Sequence, residues 1–489
     1  MPNFLIQKPL HTLMEEASEE GAHTLKRVLG PWQLTALGIG AMIGAGIFVL
    51  TGVAAFNNAG PAVVLSFVAA GIACAFAGLC YAEFASLIPI AGSAYTYGYA
   101  TLGELFAWII GWDLMLEYAL GASTVSVGWT GYFVSLLKSF GIEVPAAIST
   151  STFALQDGHW VNNGSFNLIA FLVLLVISGV LAIGIQESAS VNTTIVILKL
   201  GIVLMFIATC VWYIKPANWT PFIPPNEGTF GKYGWSGILR GAALVFFAYI
   251  GFDAVSTAAQ ESRNPKRDLP IGILASLVIC TVLYIAVSGI LTGVVHYKEL
   301  GVPHPIAVGI QATPFHWLSR LVELGAVLGL GSVMLVMLLG QSRVFYSMSR
   351  DGLLPAVFSK IHPKFRTPYL ITLVTGVVVA IIAGLFPIVV LGEMVNIGTL
   401  LAFAIVSASV IVLRVRRPDL PRPFTTPGYP FVPILGVLTS FGLMAFLPWD
   451  TWLRLGVWLA IGLVIYVVYG RHHSKVRAAA GGRAAVRGD

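Results

Sequence analysis

Polar residues interrupt this chain rarely, and at intervals that suit helices crossing a membrane. The apolar residues gather into twelve runs, 33–56, 61–88, 104–137, 166–184, 191–213, 236–260, 269–294, 319–348, 369–386, 390–413, 431–447 and 452–470, numbered below as segments 1 to 12. A hydrocarbon core of about 30 Å takes roughly 20 apolar residues of helix, and each run reaches or approaches that length. Helix is the only conformation open to such runs in lipid, because every backbone N–H and C=O must find a partner inside the segment. The alternating period of an outer-membrane barrel is absent. The pattern predicts an all-α integral membrane protein with 12 transmembrane helices.

Composition agrees with the pattern. Of the 489 residues, 57% are hydrophobic and 10% charged, and the mean hydropathy is +0.85. Soluble domains carry about 25% charged residues, so a soluble enzyme, a nucleic-acid-binding domain and a disordered chain are excluded. The bases are unevenly placed: the N-terminus, the connections after segments 2, 4, 6, 8 and 10, and the C-terminus together hold 20 Lys and Arg, counting Arg343 in the last turns of segment 8, against 6 on the other side. By the positive-inside bias both termini are cytoplasmic, in a multi-pass protein of the cell (cytoplasmic) membrane. Residues 1–32 read as a cytoplasmic N-terminal segment that is retained, since they lack the apolar core of a signal peptide. Residues 471–489 read as a basic cytoplasmic tail, solvated near anionic headgroups.

The four cysteines, Cys74, Cys80, Cys210 and Cys280, lie inside apolar runs, which suits packing and neither a disulfide framework nor a zinc site. All nine histidines fall in connections or tails. No cofactor or metal is expected, and a membrane-embedded enzyme is a remote reading. No Walker-type loop suggests a pump, and no continuous polar stripe suggests a channel.

Two segments are rich in glycine where a helix should be continuous. Segment 1 contains Gly38, Gly40, Gly44 and Gly46, and segment 6 contains Gly251 two residues before Asp253. Gly40 and Gly44 alone would make a G-x-x-x-G packing face. Gly44 and Gly46, two apart, point to different faces, and only an unwound stretch accounts for both. Such a break exposes N–H groups at the positive end of one half-helix and C=O groups at the negative end of the other. An amino acid, with an α-carboxylate and an α-ammonium, matches those two ends without any charged side chain. Segments 1 and 6 are five apart, as expected of two five-helix repeats of inverted topology meeting at the bilayer midplane. That correspondence is positional.

Four charges lie well inside segments: Asp113, Glu117, Lys199 and Asp253. Each is expensive in the bilayer and is kept for a partner or a function. Asp113 and Glu117 are i,i+4 neighbours on one face of segment 3. Glu117 is either a functional carboxylate, near a cationic substrate or in proton handling, or a hydrogen-bonded packing group. Asp253 opens the second half of segment 6, as a helix cap or as part of a gate or ion path.

Several motifs recur in one order along the chain: Gly40-Ala41-Met42-Ile43-Gly44-Ala45-Gly46-Ile47-Phe48, Gly92-Ser93-Ala94-Tyr95-Thr96-Tyr97, Trp112 to Tyr118, Phe246 to Glu261, Asn264 to Pro270, and Arg343 to Pro355. In these the chain resembles the amino acid–polyamine–organocation transporters, and within them the cationic amino acid transporter group. The resemblance implies a leucine-transporter-like fold: a ten-helix core at 33–413 with inverted repeats at about 33–213 and 236–413, and peripheral helices 11 and 12 at 431–470. It implies a substrate carboxylate on the backbone N–H groups of Ile43, Gly44, Ala45 and Gly46, and an ammonium on the carbonyls of Phe247, Ala248 and Ile250, with Phe247 also as gate. Ala45 stands where many relatives have Ser or Thr. Tyr284, Val333 and Asn396 would line the side-chain pocket. Lys199 would stand where sodium-coupled relatives bind their ion, bridging segments 1 and 8. It is then either a proton-coupling group with Glu117 and Asp253, since burial weighs against a charged lysine, or a fixed structural cation.

The function expected is proton-coupled import of L-amino acids, cationic and/or small neutral, by alternating access, with an amino-acid exchanger as the alternative. The partners expected are an L-amino acid, the proton and membrane lipid, with no nucleic acid; a small single-span subunit is left open.

Overall fold

The computed structural model describes residues 6–9, 28–90, 93–156, 159–184, 189–365 and 367–479, apart from the side chains of 156 and 189–192. Of the predicted N-terminal segment and basic tail, therefore, residues 1–5, 10–27 and 480–489 lie outside the described residues, as do Gly92 and Arg366.

Each apolar segment falls on helix. Among the described residues eight helices are long and apolar enough to cross a membrane, and three shorter apolar ones span Leu168–Ala182, Tyr369–Leu385 and Phe431–Ala445. Local chemistry sets several starts. Proline occupies the first helical position at Pro31 and Pro265, where its missing N–H would have no partner anyway. The Asn167 side chain accepts from Ala170 N–H at 3.0 Å and caps segment 4.

The outer faces are apolar in helical register. Leu168, Leu172 and Val176 of segment 4 are exposed at four-residue spacing, and Val374 and Val378 of segment 9 repeat the pattern. A face of this kind finds its solvent in lipid. The centre is built on segment 3 (Glu104–Ser139), which packs against segments 8 (Trp317–Arg350) and 10 (Ile388–Arg416), while segment 7 (Pro265–Val294) packs against segments 1 and 2. Segment 12 is joined to segment 3 by stacked indoles: Trp112 lies 4.4 Å from Trp458, and each ring N–H donates to the other residue's carbonyl, at 2.8 and 3.1 Å.

One element departs from the all-α expectation. Strands β1 (Phe153–Gln156) and β2 (His159–Asn162) pair antiparallel in the connection between segments 3 and 4. Aromatic and branched residues favour the pairing, and the hairpin is held from outside by Phe386 on Phe153 and by the Arg454 guanidinium over the Trp160 ring.

Residues 6–8 and 474–477 come together on one side of the molecule. Ile6 C=O accepts from Glu104 N–H at 2.9 Å, and Lys8 N–H donates to Tyr99 C=O at 3.2 Å. The Glu104 carboxylate, fully buried, accepts from Arg477 Nε at 2.6 Å, Tyr466 Oη at 2.9 Å, Tyr99 Oη at 3.0 Å and the Ser474 hydroxyl. Lys475 N–H donates to Asp351 C=O, and the Asp351 carboxylate takes Lys8 Nζ at 3.3 Å and Tyr95 Oη at 2.7 Å. The loop after segment 8 is thereby tied to both terminal segments.

Candidate functional site: two facing helix breaks

Segment 1 is helical over Pro31–Met42, becomes extended at Ile43 (φ −72°, ψ 92°), and resumes as a wide turn over Gly46–Leu50. Helical bonding restarts with Phe48 N–H donating to Gly44 C=O at 3.2 Å. The amides of Gly44, Ala45 and Gly46 therefore lie in the first turn, where no earlier helical carbonyl can reach them. Segment 6 is helical over Gly234–Val245, tightens over Phe246–Tyr249, and restarts at Ala254–Thr257. Gly251 adopts φ +125° between them, a conformation that side chains oppose.

The breaks face each other closely. A Cβ on Gly46 would stand 2.3 Å from Ala248 Cα, and one on Gly251 would stand 2.8 Å from Ala41 Cβ. Only glycine allows either approach. Tyr284, from segment 7, completes the junction: its hydroxyl oxygen is 2.9 Å from Met42 C=O and 2.8 Å from Ala248 C=O. A hydroxyl has one proton, so Tyr284 satisfies one of these carbonyls at a time and leaves the other an acceptor.

The remaining expected residues surround the junction. Val333 is buried, with its methyls 3.4 and 3.6 Å from the Cβ position of Gly44. Phe247 is buried in the tight turn of segment 6, and its carbonyl accepts from Ile250 N–H at 3.2 Å. Asn396 donates from Nδ2 to Ala243 and Leu244 C=O at 2.8 and 2.9 Å, so its amide braces the end of the first half of segment 6. Lys199 is fully buried. Its Nζ donates to Gly40 C=O at 2.8 Å, and its stem passes the Cβ position of Gly329 at 3.0 Å. It lies between segments 1 and 8.

The three expected acids are all buried, Asp253 on segment 6 and Asp113 and Glu117 on segment 3. Asp253 accepts from Gly251 N–H at 3.3 Å and makes no capping hydrogen bond to the turn it opens. Glu117 is buried one helical turn after Asp113 on segment 3. Asp113 sits against segment 10, with Oδ1 2.7 Å from the Cβ position of Gly398. Both Asp113 oxygens and Glu117 Oε1 are buried without a hydrogen-bond partner among the described residues. No group of three metal-ligating side chains occurs among those residues.

Three further buried charges escaped the sequence reading as partners. Glu83 holds Arg414 through two hydrogen bonds, of 3.0 and 2.6 Å. Glu393 holds Arg240 at 2.6 Å, and Glu104 holds Arg477. The pairs join residues 331, 153 and 373 positions apart, and no local pattern could have matched them.

A family model of amino acid permeases matches residues 29–468. A branched-chain amino acid permease of Bacillus subtilis is 51% identical over 94% of this chain and 96% of its own length. A methylthioribose transporter of the same organism is 44% identical over 97% and 99%, and human cationic amino acid transporter 4 is 35% identical over 86% and 64%. These relatives are named as permeases and transporters, so the chain is a multi-pass membrane transport protein and not an enzyme. With two facing helix breaks and a match along nearly its whole described length, the chain belongs to the amino acid permease family of the amino acid–polyamine–organocation superfamily.

Proposed function

We propose that this protein imports an L-amino acid across the cytoplasmic membrane by alternating access, coupled to protons, and that the amino acid binds between the two breaks. In this reading 12 helices cross the bilayer with both termini cytoplasmic. Residues 33–413 form the ten-helix core of two inverted repeats, 33–213 and 236–413, in a leucine-transporter-like arrangement, and 431–470 add two peripheral helices. The carboxylate takes the first-turn amides around Gly44, Ala45 and Gly46, with Ile43 at the bend. The ammonium takes carbonyls of Phe247, Ala248 or Ile250, and Phe247 closes over it. The observation that carries the reading is the Tyr284 hydroxyl between Met42 and Ala248 C=O. It engages Ala248 C=O, one of the carbonyls the ammonium takes, and can yield it to a stronger donor while keeping Met42 C=O.

The wall beside the carboxylate position is apolar. Val333 faces Gly44, and Asn396 spends its amide protons on segment 6. An aliphatic side chain fits this better than a cationic one, in keeping with the branched-chain permease among the relatives. Lys199 is the coupling group: bonded to Gly40 C=O three residues before the bend, it fixes the first half of segment 1 when charged and releases it when neutral. Glu117 and Asp253 are the acids nearest the second break and take part in the same proton transfer.

The test is thermal stabilisation of the purified protein by each of the twenty amino acids and by methylthioribose, followed by uptake of the best ligand into liposomes under an imposed pH gradient. Branched-chain amino acids should stabilise most. Lys199→Ala should abolish gradient-driven uptake and keep part of the stabilisation. Uptake with unchanged pH dependence would refute the coupling role, and stabilisation by methylthioribose alone would refute the amino-acid site.

A further inference from the structure

A small cavity lies one helical turn past the second break. Thr257, four residues beyond Asp253, lines it together with Ser93, Tyr95, Tyr118, Arg343 and Ser347. Its free space is about 20 Å3, room for water and too little for an amino acid. On its far side Tyr95 donates to Asp351, which Lys8 also holds. The cavity therefore separates the helix breaks from the layer in which residues 6–8 and 474–477 come together.

Arg343 distinguishes this cavity. The half-buried guanidinium groups of Arg240, Arg414 and Arg477 each grip a carboxylate at 2.6 Å. Arg343, half-buried on segment 8, has neither a hydrogen bond nor an ion pair among the described residues. The groups around it are hydroxyls, and no acid lines the cavity. Val344 and Ser347, on the same helix, line it as well, so this face of segment 8 borders the cavity. A cation ringed by hydroxyls and lacking a counter-charge is built for a planar anion, and a carboxylate is what guanidinium binds with paired hydrogen bonds.

We propose that Arg343 and the surrounding hydroxyls form an inner station that takes the α-carboxylate of the amino acid after it leaves the helix breaks. The proposal rests on the breaks being the amino-acid site. The structure holds the station closed. When the second half of segment 6 swings away, Thr257 withdraws and the cavity opens toward the breaks. The carboxylate then exchanges backbone amides for a guanidinium, and its charge meets a partner at each stage of release.

The experiment uses the full-length protein in phosphatidylcholine vesicles loaded with the best amino acid from the twenty-member panel; leucine illustrates it. Efflux is measured with internal 4-methylpentanoate, which keeps the carboxylate and lacks the amine, or internal 3-methylbutylamine, which keeps the amine and lacks the carboxylate. In the wild type the acid should slow efflux and the amine should not. Arg343→Gln should keep stabilisation by leucine, transport more slowly, and lose sensitivity to the acid about tenfold or more, as loss of a charge-assisted pair predicts. Arg343→Lys, which retains charge without the fork, should fall between them and serves if the glutamine variant does not fold. Inhibition that is absent, equal in wild type and variants, or present only after phosphatidylglycerol is added would overturn the proposal; the last result would assign the guanidinium to lipid. Failure of the underlying reading shows separately, as Gly46→Val protein that leucine still stabilises.

Discussion

Buried charge is handled in two ways in this molecule. At the periphery, Glu83, Glu104 and Glu393 each hold an arginine side chain, and Glu104 has three further hydroxyl donors. Around the helix breaks, Lys199 is bonded to a backbone carbonyl, Asp253 to a backbone amide, and Asp113 keeps two partnerless oxygens. The first set joins segments that must not separate: 2 to 10, 6 to 10, and 3 to the C-terminal segment. The second set lies around the breaks of segments 1 and 6, the parts that change shape in the proposed alternating access. Saturated pairs cost much to break, so they mark rigid parts. Charges held by backbone groups in place of an opposite charge exchange partners at lower cost, as the proposed movement at the breaks requires.

The largest effect that would sharpen this contrast is at the junction itself. Gly46→Val forces a side chain into Ala248 and should weaken amino-acid binding about ten- to a hundredfold while the protein still purifies folded; titration of the variant checks this. Next is Glu104→Ala, which strands Arg477. It should cost about 3 kcal/mol of stability, the low end for a broken buried pair because the Arg477 side chain keeps 18% exposure, and should leave the amino-acid affinity within about twofold. Denaturation curves with and without ligand separate the two quantities. Asp113→Asn should change stability by less than about 1 kcal/mol, since it removes no hydrogen bond; a loss as large as that of Glu104→Ala would break the distinction. The smallest effect belongs to His304, outside the membrane segments. Burial, and then the charge of Lys138, lower its pKa below 6.5. The unfolded chain takes up that proton first as pH falls, so stability should decline below about pH 6.5 in wild type and less in His304→Gln.

Much of this was legible in the sequence, for physical reasons that differ by residue. The segments were legible because lipid imposes length and apolarity on every helix. Gly46 and Gly251 were legible because only glycine serves where backbones touch, whereas a Cβ at Gly44 would make ordinary contact with Val333. Arg414 was counted in the sequence as a cytoplasmic base, and the structure spends it on Glu83, since a pair 331 positions apart leaves no local trace. Tyr284 was expected as pocket lining, and nothing in its neighbours on segment 7 foretold a hydroxyl between two carbonyls. The hairpin at Phe153–Asn162 was too short to stand out from a loop.

The central claim is that bare backbone at two breaks recognises both charges of one amino acid. Calorimetric titration of the wild-type protein with its best amino acid and with the methyl ester of that amino acid tests it most directly. The ester keeps the ammonium and the side chain and loses the carboxylate charge. Binding weaker by about a hundredfold or more for the ester is the predicted result, from the loss of several charge-assisted bonds to backbone amides. Equal affinity for the two would contradict the account.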